Sequence, residues 1–300
     1  MIFHSFLIYA ALFSSLLGQV ELQKVATFDY VGDGNPRQAL DLYLPEKKGE
    51  ETLPVIFWIH GGAWLKGSKD KPRQVLRAAR SGEFAVVSIN YRLSQEARWP
   101  AQIHDCKAAL RWVKGNAKKY HLDPERIIIW GASAGGQLVA MLGTTQDDEI
   151  LDGKLGGYRD QSTKVKAVIN FFGPVDLVMM NSQGSTMDHD GPRSPEGKLL
   201  GGTVSELKDA AKSASPFYHV TKDDATFLTV HGTQDPLVPY AQGLAFDRKL
   251  DEFKVPSLLL TVDGGGHGRG FGESVDQAVL AFLKEHGLGK ESGLKDATVK

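Results

Sequence analysis

The 300-residue chain is 42% hydrophobic and 24% charged, which gives enough apolar sequence for one large core. Its formal net charge of −1 excludes the basic footprint that nucleic-acid binding needs. A single cysteine, Cys106, excludes an intrachain disulfide.

Residues 6–17 are almost wholly apolar, too short for a comfortable membrane span, and are followed by Gly18 and Gln19. Residues 1–19 therefore read as a signal peptide, and the expectation is export to the periplasm or medium without stable membrane insertion. From residue 20 to 288 strand and helix patterns alternate, the mark of an α/β chain with a mostly parallel sheet and helices on both faces. Strands are expected at about 24–31 and 38–44. Residues 55–59 form a third, and His60-Gly61-Gly62-Ala63-Trp64 leaves its end. Helices follow near 71–80 and 101–118. In the second of these, Ile103, Cys106, Leu110 and Val113 recur at helical spacing as a buried stripe, which makes Cys106 a core thiol.

The run Ile127-Ile128-Ile129-Trp130 is a buried strand, and 134–142 is rich in helix formers. Between them Gly131-Ala132-Ser133-Ala134-Gly135 sets a serine on a strand-to-helix corner flanked by the small residues a tight turn requires. That is the nucleophile-elbow pattern. A strand over 168–172 leads to Asp176. Segment 181–215 is expected to be an insertion that roofs the site as a small cap, because residues 181–196 carry Gly184, Gly191, Pro192 and Pro195 without periodicity. Within it Asp188-His189-Asp190 reads as a solvated turn, because three side chains in a row do not easily converge on one metal ion. A strand over 225–231 hands over to Gly232-Thr233-Gln234-Asp235-Pro236, and one over 256–262 to Asp263-Gly264-Gly265-Gly266-His267-Gly268. Helices near 240–252 and 273–286 complete the unit. Residues 289–300 are expected to be a polar, unstructured tail.

Ser133, Asp235 and His267 thus stand in the order of an α/β-hydrolase triad, each at the carboxyl end of a core strand, where open α/β sheets place ligands. A serine hydroxyl becomes a nucleophile when a base within hydrogen-bond reach takes its proton. Histidine suits that task, with a pKa of about 6.5, and a carboxylate fixes its tautomer. Asp235 is the expected acid and Asp176, one strand earlier, its rival. His231 shapes the loop before Asp235, and His60 fixes the loop after the third strand. Backbone N–H groups of Gly61, Gly62 and Ala134 are the expected oxyanion donors, with Ala63 where a third glycine often stands. Trp64 and His189 are assigned to the substrate pocket. The chemistry calls for neither a metal nor an organic cofactor.

Several motifs carry a family resemblance. They are His60-Gly61-Gly62-Ala63-Trp64, Asn90-Tyr91-Arg92-Leu93-Ser94, Trp99-Pro100-Ala101-Gln102 with Asp105, and Asp123-Pro124-Glu125-Arg126. The elbow with Gly136, Ser194-Pro195-Glu196, the stretch from His231 to Pro239, and Gly266-His267-Gly268 complete the set. Over residues 27–287 the chain resembles the bacterial esterase/lipase-like α/β-hydrolases grouped with bifunctional feruloyl and acetylxylan esterases. The resemblance implies cleavage of short acyl or hydroxycinnamoyl esters, such as those on plant cell-wall xylan, from a small or oligosaccharide substrate. Two other readings stay open: an arylformamidase, which shares the same motifs, and a binding module that has kept the fold without the chemistry.

Overall fold

The computed structural model describes residues 20–46 and 51–300, so the expected signal segment lies outside the described residues. The described residues form one sheet from β1 (Leu22–Asp29), β2 (Ala39–Pro45), β3 (Leu53–Ile59), β4 (Ala85–Ile89), β5 (Leu122–Ala132), β6 (Ala167–Phe171), β7 (Thr226–Gly232), β8 (Ser257–Val262) and β9 (Ala297–Val299). Their spatial order is β1-β2-β4-β3-β5-β6-β7-β8-β9. β2 runs antiparallel to both β1 and β4, and every pairing from β4 through β3 to β9 is parallel. The helices are α1 (Arg73–Ala78), α2 (Ala101–Gly115), α3 (Ala117–Tyr120), α4 (Ala134–Thr144), α5 (Glu149–Asp152), α6 (Pro195–Leu200), α7 (Lys208–Ser213), α8 (Tyr240–Glu252) and α9 (Glu273–Leu288).

Strand alternation divides the core in two. Val55, Phe57 and Ile59 of β3 and Ile127 and Ile129 of β5 face a cluster that includes Ile103, Leu110, Leu138 and Phe246, from α2, α4 and α8. Ile56, Ile128 and Trp130 face the other way, onto Val75 of α1 and Val279, Phe282 and Leu283 of α9. A strand buried on both faces must be apolar at every position, which is why these segments read as unbroken runs. The expected α2 stripe is borne out: Ile103, Cys106, Leu110 and Val113 are all fully buried.

Among the strands, two depart from the sequence expectation. β4 was not anticipated, because Ala85 and Ser88 dilute its β-branched run; it is a strand because β2 and β3 hold it on both sides. The polar tail is not unstructured throughout. Its residues 297–299 add β9 to the open edge of β8, with Asp263 N–H donating to Val299 O (2.7 Å) and Leu259 N–H to Asp296 Oδ1 (2.9 Å). An uncovered sheet edge leaves backbone donors and acceptors unpaired, and the tail satisfies part of that row. No helix of the described residues is long and apolar enough to cross a membrane.

Candidate active site

Ser133 sits on the single residue between β5 and α4, with φ 56° and ψ −123°, a conformation L-residues seldom adopt. Ser133 N–H donates to Phe171 O (2.9 Å) and Gln137 N–H donates to Ser133 O (3.0 Å), so both sides of the strained residue are held. The flanking glycines are required by close backbone approach. A Cβ on Gly131 would meet Gly135 O at 2.2 Å, and one on Gly135 would meet Ile59 O at 2.2 Å. Larger residues would therefore push the elbow off the end of β3.

His267 brings its Nε2 to 2.9 Å from Ser133 Oγ and its Nδ1 to 2.7 Å from Asp235 Oδ2. Asp235 Oδ1 accepts the backbone N–H groups of Leu237 (2.9 Å) and Val238 (3.0 Å). Burial acts to raise the Asp235 pKa, but hydrogen bonds from His231, His267 and the Leu237 N–H hold the carboxyl well below the usual carboxylate range. An ionised carboxylate only accepts, so His267 Nδ1 is the donor in that pair and Nε2 is left as the acceptor for the serine hydroxyl. His231 is fully buried beneath the loop, its Nε2 at 2.9 Å from Val238 O and 3.5 Å from Asp235 Oδ2. Asp176 is elsewhere occupied: its carboxylate accepts from Val178 N–H (3.0 Å), Met179 N–H (3.2 Å) and Tyr218 Oη (3.2 Å). Of the two rival carboxylates, Asp235 alone meets His267.

The loop after β3 passes directly over the elbow. A Cβ on Gly61 would lie 2.6 Å from Ala132 O and 3.2 Å from Ser133 Cβ, and Gly62 has φ +113°, so both positions demand glycine. Among the described residues the N–H groups of Gly61, Gly62 and Ala134 have no protein acceptor, which leaves them free to face a ligand. The loop is braced from outside. Tyr91 Oη donates to His60 O (3.1 Å), Ser94 N–H donates to Trp64 O (2.8 Å), and Trp64 Nε1 donates to Gln137 Oε1 (3.0 Å). His60 stacks on Tyr91 with ring centroids 4.5 Å apart and donates from Nδ1 to Gly61 O (2.7 Å). Burial pushes its pKa down to about 4, so it stays neutral and supports the loop. The Asn90–Ser94 stretch is itself pinned where Asp105 accepts from the Arg92 N–H, Nε and Nη2 and from Gln38 Nε2.

A pocket of about 420 Å³ opens over Ser133. Gly61, Gly62, Trp64 and Ala134 line it together with Met187, His189 and Glu196 of the insertion. Trp64 and His189, both expected in the pocket, are thus among its lining residues. The insertion is fastened to the acid loop: Thr186 N–H donates to Pro236 O (3.0 Å), Ser185 Oγ to Leu237 O (3.0 Å), and His189 Nε2 lies 3.0 Å from Leu237 O. His189 Nδ1 stands 3.1 Å from Glu196 Oε2, an ion-pair distance without hydrogen-bond alignment. Burial lowers the His189 pKa, but Glu196 and the Leu237 carbonyl outweigh it and the net shift is upward. Asp188 and Asp190 point away, accepting from Gly191 N–H (3.0 Å) and Ser205 N–H (2.7 Å) respectively. Among the described residues no group of three His, Cys, Asp or Glu side chains is arranged to hold a metal.

Sequence reasoning did not find Phe172, whose ring lies 4.5 Å from that of His267, nor the partnership of Glu196 with His189. The only signal for either was position: Phe172 directly follows the strand beside the elbow, and Glu196 closes the Ser194-Pro195-Glu196 motif.

A family model described as BD-FAE matches residues 40–250 of the chain. Esterase LipC of Mycobacterium tuberculosis is 30% identical over 236 residues, 78% of this chain and 57% of that protein. The chain spans about half the length of the first curated relatives it matches, 57%, 51% and 44%. Among solved structures, a truncated form of a carbohydrate esterase from gut microbiota has a TM-score of 0.80 and 34% identity, covering 90% of this chain and 98% of that one. A bifunctional GH43-CE protein of Bacteroides eggerthii also has a TM-score of 0.80, with 32% identity over 89% of this chain and 35% of that one. The shared architecture is the α/β-hydrolase fold expected from the sequence.

Proposed function

The chain belongs to the BD-FAE family, and from that premise we propose that it is a serine carboxylic-ester hydrolase acting on short acyl esters, acetyl and feruloyl esters of cell-wall xylan foremost. The observation that carries the reading is the file of Ser133 Oγ, His267 and Asp235 at 2.9 and 2.7 Å, with Ser133 and His267 lining the pocket.

The mechanism follows from that file. Ser133 Oγ attacks the ester carbonyl while His267 Nε2 takes its proton, and Asp235 stabilises the imidazolium that forms. The carbonyl oxygen, now negative, accepts from the N–H groups of Gly61, Gly62 and Ala134; losing one such donor typically slows a reaction by about 10²–10³-fold. As the intermediate collapses, His267 gives its proton to the departing alcohol and the acyl group stays on Ser133. Water then attacks by the same route, with His267 again as base, and the carboxylic acid leaves. Export through the amino-terminal segment belongs to the same proposal, since a wall polymer must be met outside the cell.

The test is release of acetate and ferulate from acetylated, feruloylated xylan oligosaccharides, with Ser133→Ala as control. Release that disappears in the variant supports the reading. Good turnover of simple acetyl esters without release from xylan removes the carbohydrate assignment and keeps the esterase. Turnover of N-formylkynurenine in preference to every ester would replace it with an arylformamidase.

A further inference from the structure

Arg73 and Arg77 of α1 and Arg80 just beyond its end are spaced i, i+4 and i+7, so they share one helix face. That face looks into a cavity of about 660 Å³, larger than the pocket over Ser133, whose remaining walls include Phe171, Phe172 and Phe271. Phe271 packs against both other rings, with centroids 5.8 Å from Phe171 and 5.3 Å from Phe172. Of the three arginines, Arg77 is paired within the cavity: its Nη2 donates to both oxygens of Asp276, at 3.0 and 2.8 Å. The guanidinium of exposed Arg73 has no partner among the described residues.

This cavity and the pocket are neighbours. Phe172 lines both, and Gly268, the residue after His267, lies on the cavity wall. The Phe172 ring is 4.5 Å from the ring of His267. In the proposed reaction His267 returns its proton to the leaving oxygen, so the alcohol departs on the histidine side of the site. The arginine-lined cavity lies on that side, whereas Trp64, Met187 and Glu196 line the other pocket.

We propose that the cavity between α1 and the His267 loop is a subsite for a carboxylate-bearing sugar, a hexuronate carried on the alcohol side of the substrate; the assignment rests on the esterase reading above. A neutral sugar needs no unpaired guanidinium, and the planar fork of arginine matches a carboxylate bidentately. Aromatic walls with a few convergent polar groups are what ring-shaped ligands occupy. Arg73 is the free fork, beside the Arg77–Asp276 pair.

The test is calorimetric titration of the Ser133→Ala protein with xylotriose and with the same trisaccharide carrying a glucuronic acid branch, so that binding is read without turnover. The acidic sugar is expected to bind about tenfold tighter at low salt. That advantage should shrink as salt is raised and vanish in Ser133→Ala proteins that also carry Arg73→Ala or Arg73→Glu. Equal binding of the two sugars, binding of neither, or an acidic preference that survives Arg73→Glu overturns the subsite. Hydrolysis of a simple acetyl ester by the unaltered protein is measured alongside. Turnover without an acidic preference sinks the subsite alone. An acidic preference that depends on Arg73, in a protein that turns over no ester, sinks the esterase reading and leaves the cavity as an acidic-sugar site.

Discussion

Replacing Asp235 by Asn is the sharpest probe of the proposed relay. Oδ1 of Asp235 accepts two backbone N–H groups, from Leu237 and Val238, so an asparagine there keeps its oxygen on that side. Its NH₂ group then faces His267 Nδ1, 2.7 Å away, where a carboxylate oxygen now stands. A donor at that point forces Nδ1 to accept, which places the imidazole proton on Nε2, aimed at Ser133 Oγ. The base is in the wrong tautomer with almost no change in geometry. Such a substitution in a Ser-His-Asp relay typically lowers kcat by about 10⁴-fold, equivalent to about 5.5 kcal/mol of transition-state stabilisation. Asp176→Asn is the control, since its carboxylate serves Val178, Met179 and Tyr218 and not His267, and its effect should stay below about tenfold. The assay is kcat/KM for p-nitrophenyl acetate, with circular dichroism to confirm that both variants fold. Retention of activity within tenfold in Asp235→Asn, or a larger loss in Asp176→Asn, would refute the assignment of the acid.

Two further outcomes follow from packing and charge. Gly135→Ala should destabilise the fold by about 3 kcal/mol or more, read as a fall in Tm, because its Cβ would lie 2.2 Å from Ile59 O, a backbone atom of a central strand; a variant as stable as the parent would mean the elbow can move away from β3. Asp247 is pushed up to about 6 by burial and by the nearby Asp296 and Asp251, while Ser257 Oγ donates to it at 2.7 Å. A folded-state pKa above the unfolded one means that ionising Asp247 weakens the fold as pH rises from about 4 through 6. Asp247→Asn should therefore stabilise the protein above pH 6 by about 1–2 kcal/mol after allowing for solvent screening, and by nothing near pH 4. Thermal melts at pH 4 and pH 8 check this, and an equal gain at both would remove the titration as its cause.

What was legible in the sequence is what local chemistry dictates. The elbow could be read because its corner leaves room only for small residues, and the cost of violating that is visible at Gly131 and Gly135. The order Ser133, Asp235, His267 could be read because each residue follows an apolar run too long and too continuous to be anything but a central strand. Elements whose cause lies elsewhere in the chain escaped. β4 contains Ala85 and Ser88 and is made a strand by neighbours far away in sequence. β9 is short and largely exposed, with no apolar run to mark it, and it pairs because β8 has an open edge. Between Asp235 and Asp176 the sequence offered only a preference, since both follow core strands; reach to His267 decides, and reach is a property of the folded loop.

The insertion shows the same division and adds a consequence for the site. Its composition marked it as an excursion, but not what it holds. Residues 235–238 are gripped from two directions: their N–H groups bind the Asp235 carboxylate, while the carbonyls of Pro236 and Leu237 receive Thr186, Ser185 and His189 from the insertion. A peptide held at both its donors and its acceptors has little freedom to rotate, so the wall that meets substrate and the loop that orients His267 share one short piece of backbone. His189 therefore does more than line the pocket. In the proposed relay a shift of that wall would reach the Asp235 carboxylate through the Pro236 and Leu237 peptides, which would couple substrate fit to base orientation.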